Sequence, residues 1–208
     1  MSKRFLFLLI FLSFCFKNSL IDRVLNDYFP LNTGFKSRFV HLPERETSYV
    51  EVIRDTLILG ENLKNVFFLY EDDFFLKEGG FIKKYFKEVY YSGENEYVLE
   101  ERAIPFIPSI FINGDLIVDS LKKNFLIEGD TLFYSRKMKI KIKGPVTFKI
   151  EDVEFDNSFK VERYFEIGIK KGMVFIKKIQ ESYEVYAPEK GLIFYATPYD
   201  TFKYIGGR

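Results

Sequence analysis

The chain has 208 residues with 31 basic and 30 acidic side chains, one histidine and one cysteine. That near balance argues against a nucleic-acid partner, which needs a basic excess, and a lone cysteine excludes an internal disulfide framework or a cysteine-based metal centre. Aromatic residues make up 19% of the chain, with 25 Phe, 14 Tyr and no Trp, a payload that favours β structure.

Met1 to Ser19 form the first element. Ser2-Lys3-Arg4 is a basic head, Phe5 to Phe16 an uncharged apolar run and Lys17-Asn18-Ser19 a polar exit. This is the layout of a secretory signal, and the run is shorter than the ~20 apolar residues of a spanning helix. The reading assigns 1–19 to a signal peptide cut near 15–19. It assigns 20–208 to one β-rich domain exported to the periplasm or cell surface. Ser13 and Cys15 suit the −3 and −1 positions of a cut after Cys15. Leu12-Ser13-Phe14-Cys15 also resembles the lipobox of bacterial lipoproteins, which makes Cys15 a candidate lipid anchor. An uncleaved segment is the third alternative. Membrane attachment is expected only through the signal or this anchor. Without Lys3, Arg4 and Lys17 the basic count falls from 31 to 28 against 30 acids, so the exported body is near −2.

Leu20 to Tyr28 has room for one or two helical turns. Beyond it the pattern is mostly period two, which predicts strands over Ser37–Leu42, Tyr49–Arg54, Asn65–Tyr70, Phe81–Tyr91 and Glu96–Glu101. Phe81–Tyr91 fits neither period cleanly; Gly79-Gly80 and Ser92-Gly93 at its ends favour a strand between hairpin turns over a helix. Ile104-Pro105-Phe106-Ile107-Pro108 reads as a boundary, because two prolines interrupt pairing. Phe29-Pro30-Leu31-Asn32-Thr33-Gly34 and Ile110-Phe111-Ile112-Asn113-Gly114 are similar, which leaves open two related halves, 28–104 and 109–208.

Lys137 to Lys143 alternates one apolar face with an all-lysine face. Gly144-Pro145 reads as the next turn, before a strand starting at Val146. Asp152, Glu154 and Asp156 would then face the lysines across that turn, in pairs worth ~0.2–1 kcal/mol each. Phe159–Ile169 and Met173–Tyr186 are read as a hairpin turned at Lys170-Lys171-Gly172. Gly191–Ala196 and Thr201–Ile205 close the sheet. The predicted fold class is all-β, mainly antiparallel: a meander forming a sandwich or half-barrel after the signal segment.

Three phrases carry a family likeness. Asp27-Tyr28-Phe29-Pro30-Leu31-Asn32-Thr33-Gly34 resembles the Y-F-P-L-x-x-G opening of a loosely defined group of exported bacterial β-rich envelope proteins and lipoproteins. Phe155 to Val161 is similar to a middle segment of that group, and Tyr186 to Ile193 to its A-P-G-x-G-L-V closing phrase. The resemblance implies a secreted or lipid-anchored envelope protein. The group is mostly without assigned activity, so it implies no catalytic residues. From the residues themselves, these phrases read as turns at strand ends, set by Pro30, Gly34, Pro188 and Gly191.

Side chains for chemistry are sparse. His41 is the only histidine and reads as a surface or rim residue. There is no G-x-S-x-G elbow, and Gly79-Gly80 and Gly206-Gly207 lack the setting of a phosphate loop. No catalytic residue, cofactor or metal ligand is therefore assigned. The acidic groups Glu71-Asp72-Asp73 and Glu94, Glu96, Glu100, Glu101 read as solvated turns rather than glycosidase pairs or calcium ligands. Phenylalanine is in excess of a thin two-layer core, which makes Phe67, Phe106, Phe111 and Phe133 candidate linings for an apolar ligand. The alternative is that they simply pack the sheets together. The expectation is a non-enzymatic envelope component that is a structural or interaction module. A carrier of a lipid or other apolar small molecule is the alternative, and a carboxylate-based glycan hydrolase comes third.

Overall fold

The computed structural model describes residues 28–31, 33–42, 44–52, 55–60, 63–70, 73–108 and 110–207, the side chains of 55–70 excepted. The signal reading, Cys15 and the helical turns read up to residue 27 lie outside the described residues, as do Glu71, Asp72 and the side chain of Phe67.

Every strand pairing is antiparallel. One sheet runs, in spatial order, β2 (Thr47–Glu51), β1 (Lys36–Leu42), β13 (Thr201–Gly207), β12 (Gly191–Ala196), β11 (Val174–Ala187), β10 (Val153–Lys171), β9 (Asp130–Ile150) and β8 (Leu116–Ile127). The other runs β3 (Asp55–Gly60), β4 (Leu63–Tyr70), β5 (Asp73–Glu78), β6 (Phe81–Ser92) and β7 (Asn95–Pro108). Neither sheet closes on itself, so the architecture is an open two-layer sandwich. The layers do not follow the halves 28–104 and 109–208. β1 pairs with β13, from Ser37↔Gly207 to Leu42↔Thr201, and β3 to β7 form an inserted meander laid over the larger sheet.

Burial follows strand alternation. On β9, Leu132, Tyr134, Arg136, Met138, Ile140 and Ile142 are all buried, while the lysines between them are exposed. Met138, Ile140 and Ile142 pack with Phe75, Ile82, Ile104 and Ile107 of the smaller sheet, and Leu132 and Tyr134 pack with Leu99 of that sheet. The segment before β1 plugs the same core: Phe29 lies 5.0 Å from Phe75 and 6.1 Å from Tyr186 between ring centroids. Tyr28 meets Phe159 at 5.4 Å and donates to the Asn157 carbonyl at 2.9 Å. The opening, middle and closing phrases thus converge at one place. Their residues are not only turn punctuation, because Phe29 and Leu31 are core side chains.

The hairpins predicted at 159–186 and 191–205 are present, and 81–91 is a strand as read. β3, β5 and β8 escaped the reading. β8 carries Asp119 among its inward positions, and β5 follows acids that look like a turn. Pro105 sits within β7 and Pro108 is its last residue, after which the chain passes to the larger sheet. That strand is a sheet edge pairing only with β6, where a missing N–H costs no ladder bond on the open side.

One predicted pairing is corrected. β9 runs through Gly144-Pro145 and turns at Glu151-Asp152 instead. The lysines therefore face β10 further along: Lys137 pairs with Glu166 and Lys141 with Glu162, not with Asp152 to Asp156. Register shifts between Phe155 and Lys160 let the hairpin tip leave the sheet plane. Ile150 then packs with Val185, Ala187 and Ile193, which face away from the inter-sheet core.

Candidate functional site

Among the described residues the two sheets part around a cleft. A cavity of ≈ 430 Å³ is bounded by Phe75, Phe86 and Phe106 from the smaller sheet and Phe165, Tyr186 and Leu192 from the larger. A second, of ≈ 640 Å³, lies beside it, with Phe39, Tyr195, Phe202 and the turn from Thr197 to Asp200 around it. Gln180, Leu192 and Tyr195 border both, so the two form one cleft. The second part exists because β12 is short. Beyond Tyr183↔Ala196, β11 continues toward Val174 with only β10 beside it among the described residues.

An ion pair is built into the cleft wall. Arg163 and Glu184 sit on adjacent strands in the phase of the apolar residues, with side chains 10% and 3% exposed. The contact is bidentate, Nε to Oε1 at 3.0 Å and Nη2 to Oε2 at 2.9 Å. Tyr186 and Ser182 donate to the same carboxylate at 2.7 and 2.9 Å. The remaining guanidinium nitrogen donates to the Phe106 carbonyl at 2.7 Å, and the guanidinium lies 4.0 Å from the Phe106 ring centroid. Burial alone would push the Glu184 carboxyl up. The Arg163 charge and the hydrogen bonds outweigh it and hold the group below the ordinary carboxylate range. This cluster ties β10 and β11 to β7, and so sets the separation of the sheets at the cleft.

A second buried network holds the sheets together deeper in the sandwich. Arg136 donates to Glu100 at 2.9 Å and to Asp119 at 2.7 Å. Arg102 reaches the same two carboxylates, and Tyr134 donates to Glu100 at 2.6 Å. Burial again opposes the Glu100 charge, and the bonds from Arg136, Tyr134 and Arg102 overcome it and lower the pKa. The protonated carboxyl that a glycosidase acid needs is raised; Glu100 and Glu184 are both shifted the other way.

The residues singled out from sequence separate. Phe106 lines the cleft. Phe111 instead packs into the core, 5.3 Å from Tyr28 and 5.1 Å from Phe159. Phe133 faces the outside at 49% exposure, because its strand neighbours Leu132 and Tyr134 take the inward positions. Only the backbone of Phe67 is described. His41 is half-buried, stacked on Phe202 at 4.5 Å with Nε2 3.0 Å from Asp200, two residues that border the outer cavity. Among the acids, Glu96 pairs with Lys87 and Glu101 accepts from Tyr85, but Glu100 is buried. Reading the Glu94–Glu101 group as solvated missed it. The available signal was Arg136 and Arg163, each standing where strand alternation calls for an apolar residue; a buried arginine needs a buried acid.

Comparison with family models, with curated protein sequences and with solved structures finds no match for this chain.

Proposed function

We propose that the protein is an exported, non-enzymatic binding module of the cell envelope whose inter-sheet cleft carries a lipid or another ligand with an apolar chain. The observation that supports this reading is the cleft itself. Two adjoining cavities of ≈ 430 and ≈ 640 Å³ lie in the size range of small-molecule sites. Aromatic and aliphatic side chains make up most of their walls, Asp73, Lys84 and Lys87 also border the inner cavity and Glu181 and Asp200 the outer one, and the charges of Arg163 and Glu184 are satisfied by each other and by the wall. A ligand entering there gains burial of apolar surface without breaking a polar network. The leader layout and the resemblance of the three phrases support the exported location.

Native mass spectrometry tests this on the chain expressed with its own leader and purified from the envelope in mild detergent. The expected result is a lipid-sized adduct that leaves on activation. A mass matching Cys15 carrying a diacylglycerol would assign the anchor separately. The second assay is uptake of a fluorescent fatty acid. Leu192→Trp, placed at the wall common to both cavities, should weaken uptake at least about tenfold while the far-ultraviolet circular dichroism is unchanged. A bare chain that takes up no probe saturably overturns the carrier reading and leaves a module that binds a protein of the envelope.

A further inference from the structure

The face of the larger sheet turned away from the cleft has a charge pattern that ligand binding does not use. Across β8 to β11 it presents Lys122, Lys137, Lys139, Lys141, Lys170 and Lys177 against Glu162, Glu166 and Glu181. Glu162 is engaged by Lys143, and Glu166 by Lys177 at 3.1 Å. Among the described residues Lys122, Lys139, Lys141 and Lys170 make no ion pair. The face is therefore basic although the chain as a whole is nearly neutral.

Exposed apolar side chains share this face: Leu116, Val118 and Ile179 stand among the lysines, and aromatic rings stand toward the ends of the two hairpins. Phe133 and Phe175 stand on either side of Lys170 in one register row, 49% and 62% exposed. Leu126 and Met173, beside the two turns, are exposed still further. Phe175 belongs to this face by contact, since a Cβ on Gly168 would meet its ring at 3.6 Å. Behind the rings a depression of ≈ 510 Å³ opens beside Lys139 and Lys141, with Leu116, Glu162 and Glu181 also on its border.

Rings at a rim with lysines behind them match the two layers of an anionic bilayer surface. Apolar side chains gain by entering the headgroup boundary, and lysines are drawn to the lipid anions while their stems lie along apolar surface. A soluble polyanion would engage the lysines and leave the rings in water. We propose that this face docks the protein on an anionic lipid surface, with Phe133 and Phe175 entering it and Lys139 and Lys141 contacting headgroups. The lysines and rings stand on the opposite face of the sheet from the inter-sheet cavity, although Glu181, Thr197 and Pro198 border both the depression and the outer part of the cleft, and the inference does not depend on what the cleft holds.

The test is sedimentation of the full chain with vesicles of phosphatidylcholine alone or of phosphatidylcholine mixed with anionic phosphatidylglycerol. The apolar run at 5–16 and its basic flanks Lys3, Arg4 and Lys17 contribute alike to wild type and variants, so the readout is the change in the ratio of anionic to neutral binding. The expected ratio is well above one and falls about fivefold for each of Lys139→Gln and Lys141→Gln. It should also collapse as salt is raised. Phe133→Ser with Phe175→Ser should weaken binding to anionic vesicles at least about fivefold at fixed salt. These are exposed positions, and unchanged circular dichroism checks the fold. A ratio near one, or a ratio indifferent to the lysines, overturns the proposal. So does binding that needs the lysines but ignores the rings, which would assign the face to a soluble polyanion.

Discussion

Glu184→Leu is the most informative perturbation of the cleft wall. It leaves the Arg163 guanidinium at 10% exposure without a counter-charge, holding only the Phe106 carbonyl and ring. Removing one partner of a buried pair costs about 3–5 kcal/mol, mostly as the penalty of the stranded charge. Tyr186 and Ser182 also lose their common acceptor. For a domain of this size the melting temperature should fall on the order of 10 °C. Arg163→Met together with Glu184→Leu strands no charge, so the pair should cost less than the sum of the single changes, with a coupling of about 2–3 kcal/mol. Urea unfolding followed by circular dichroism at neutral pH measures all four proteins of the cycle. A single-site loss below about 1 kcal/mol, or strict additivity, would refute the argument that this is a desolvated, mutually dependent pair. The pH dependence gives an independent check. The Glu184 pKa is lower in the folded state than in the unfolded chain. Its contribution is therefore present above the unfolded value of about 4.3 and is lost as pH falls through the folded one. The gap between wild type and Glu184→Leu should narrow in that acid window and stay constant from pH 6 to 8.

Other consequences can be measured on the same preparation. Tyr134→Phe removes a hydrogen bond to the buried Glu100 carboxylate and should cost about 1.5–3 kcal/mol in urea unfolding; a loss under about 0.5 would mean the network reorganises freely. Tyr85 has its pKa raised to about 12 by burial and by the Glu101 carboxylate. Its phenolate should therefore appear well above pH 10 in the absorbance difference between wild type and Tyr85→Phe, and earlier when Glu101→Gln is introduced. Gly144→Ala places a Cβ 2.8 Å from the Ser158 carbonyl oxygen at a φ of +150°. It should destabilise by at least about 1–3 kcal/mol, whereas Gly79→Ala, where a Cβ meets nothing within 4 Å, should cost less, and equal losses would contradict the close approach.

Much of the fold was legible because strand alternation is local. Lys137 to Lys143 announces its inward and outward faces without reference to any other part of the chain, and Gly172 marks the turn between β10 and β11 in the same way. The cleft was legible only as a surplus of aromatic residues. Which of them line it depends on phase and partner: Phe106 does, while Phe133, one residue out of phase with Tyr134, points to solvent.

The sequence by itself therefore determined the strand-rich class, most strand positions and the existence of two chemically different faces. These follow from side-chain period and turn chemistry over a few residues. Only the tertiary structure decided that β1 closes against β13, that β9 runs past Gly144-Pro145 to turn at Glu151-Asp152, and that β12 ends early enough to open the cleft. The same holds for the pairing of Arg136 with Glu100 and of Arg163 with Glu184. Each of these is a choice among competing long-range pairings, made by which arrangement buries the most apolar surface while leaving no buried charge without a counter-charge. That balance is a property of the packed molecule.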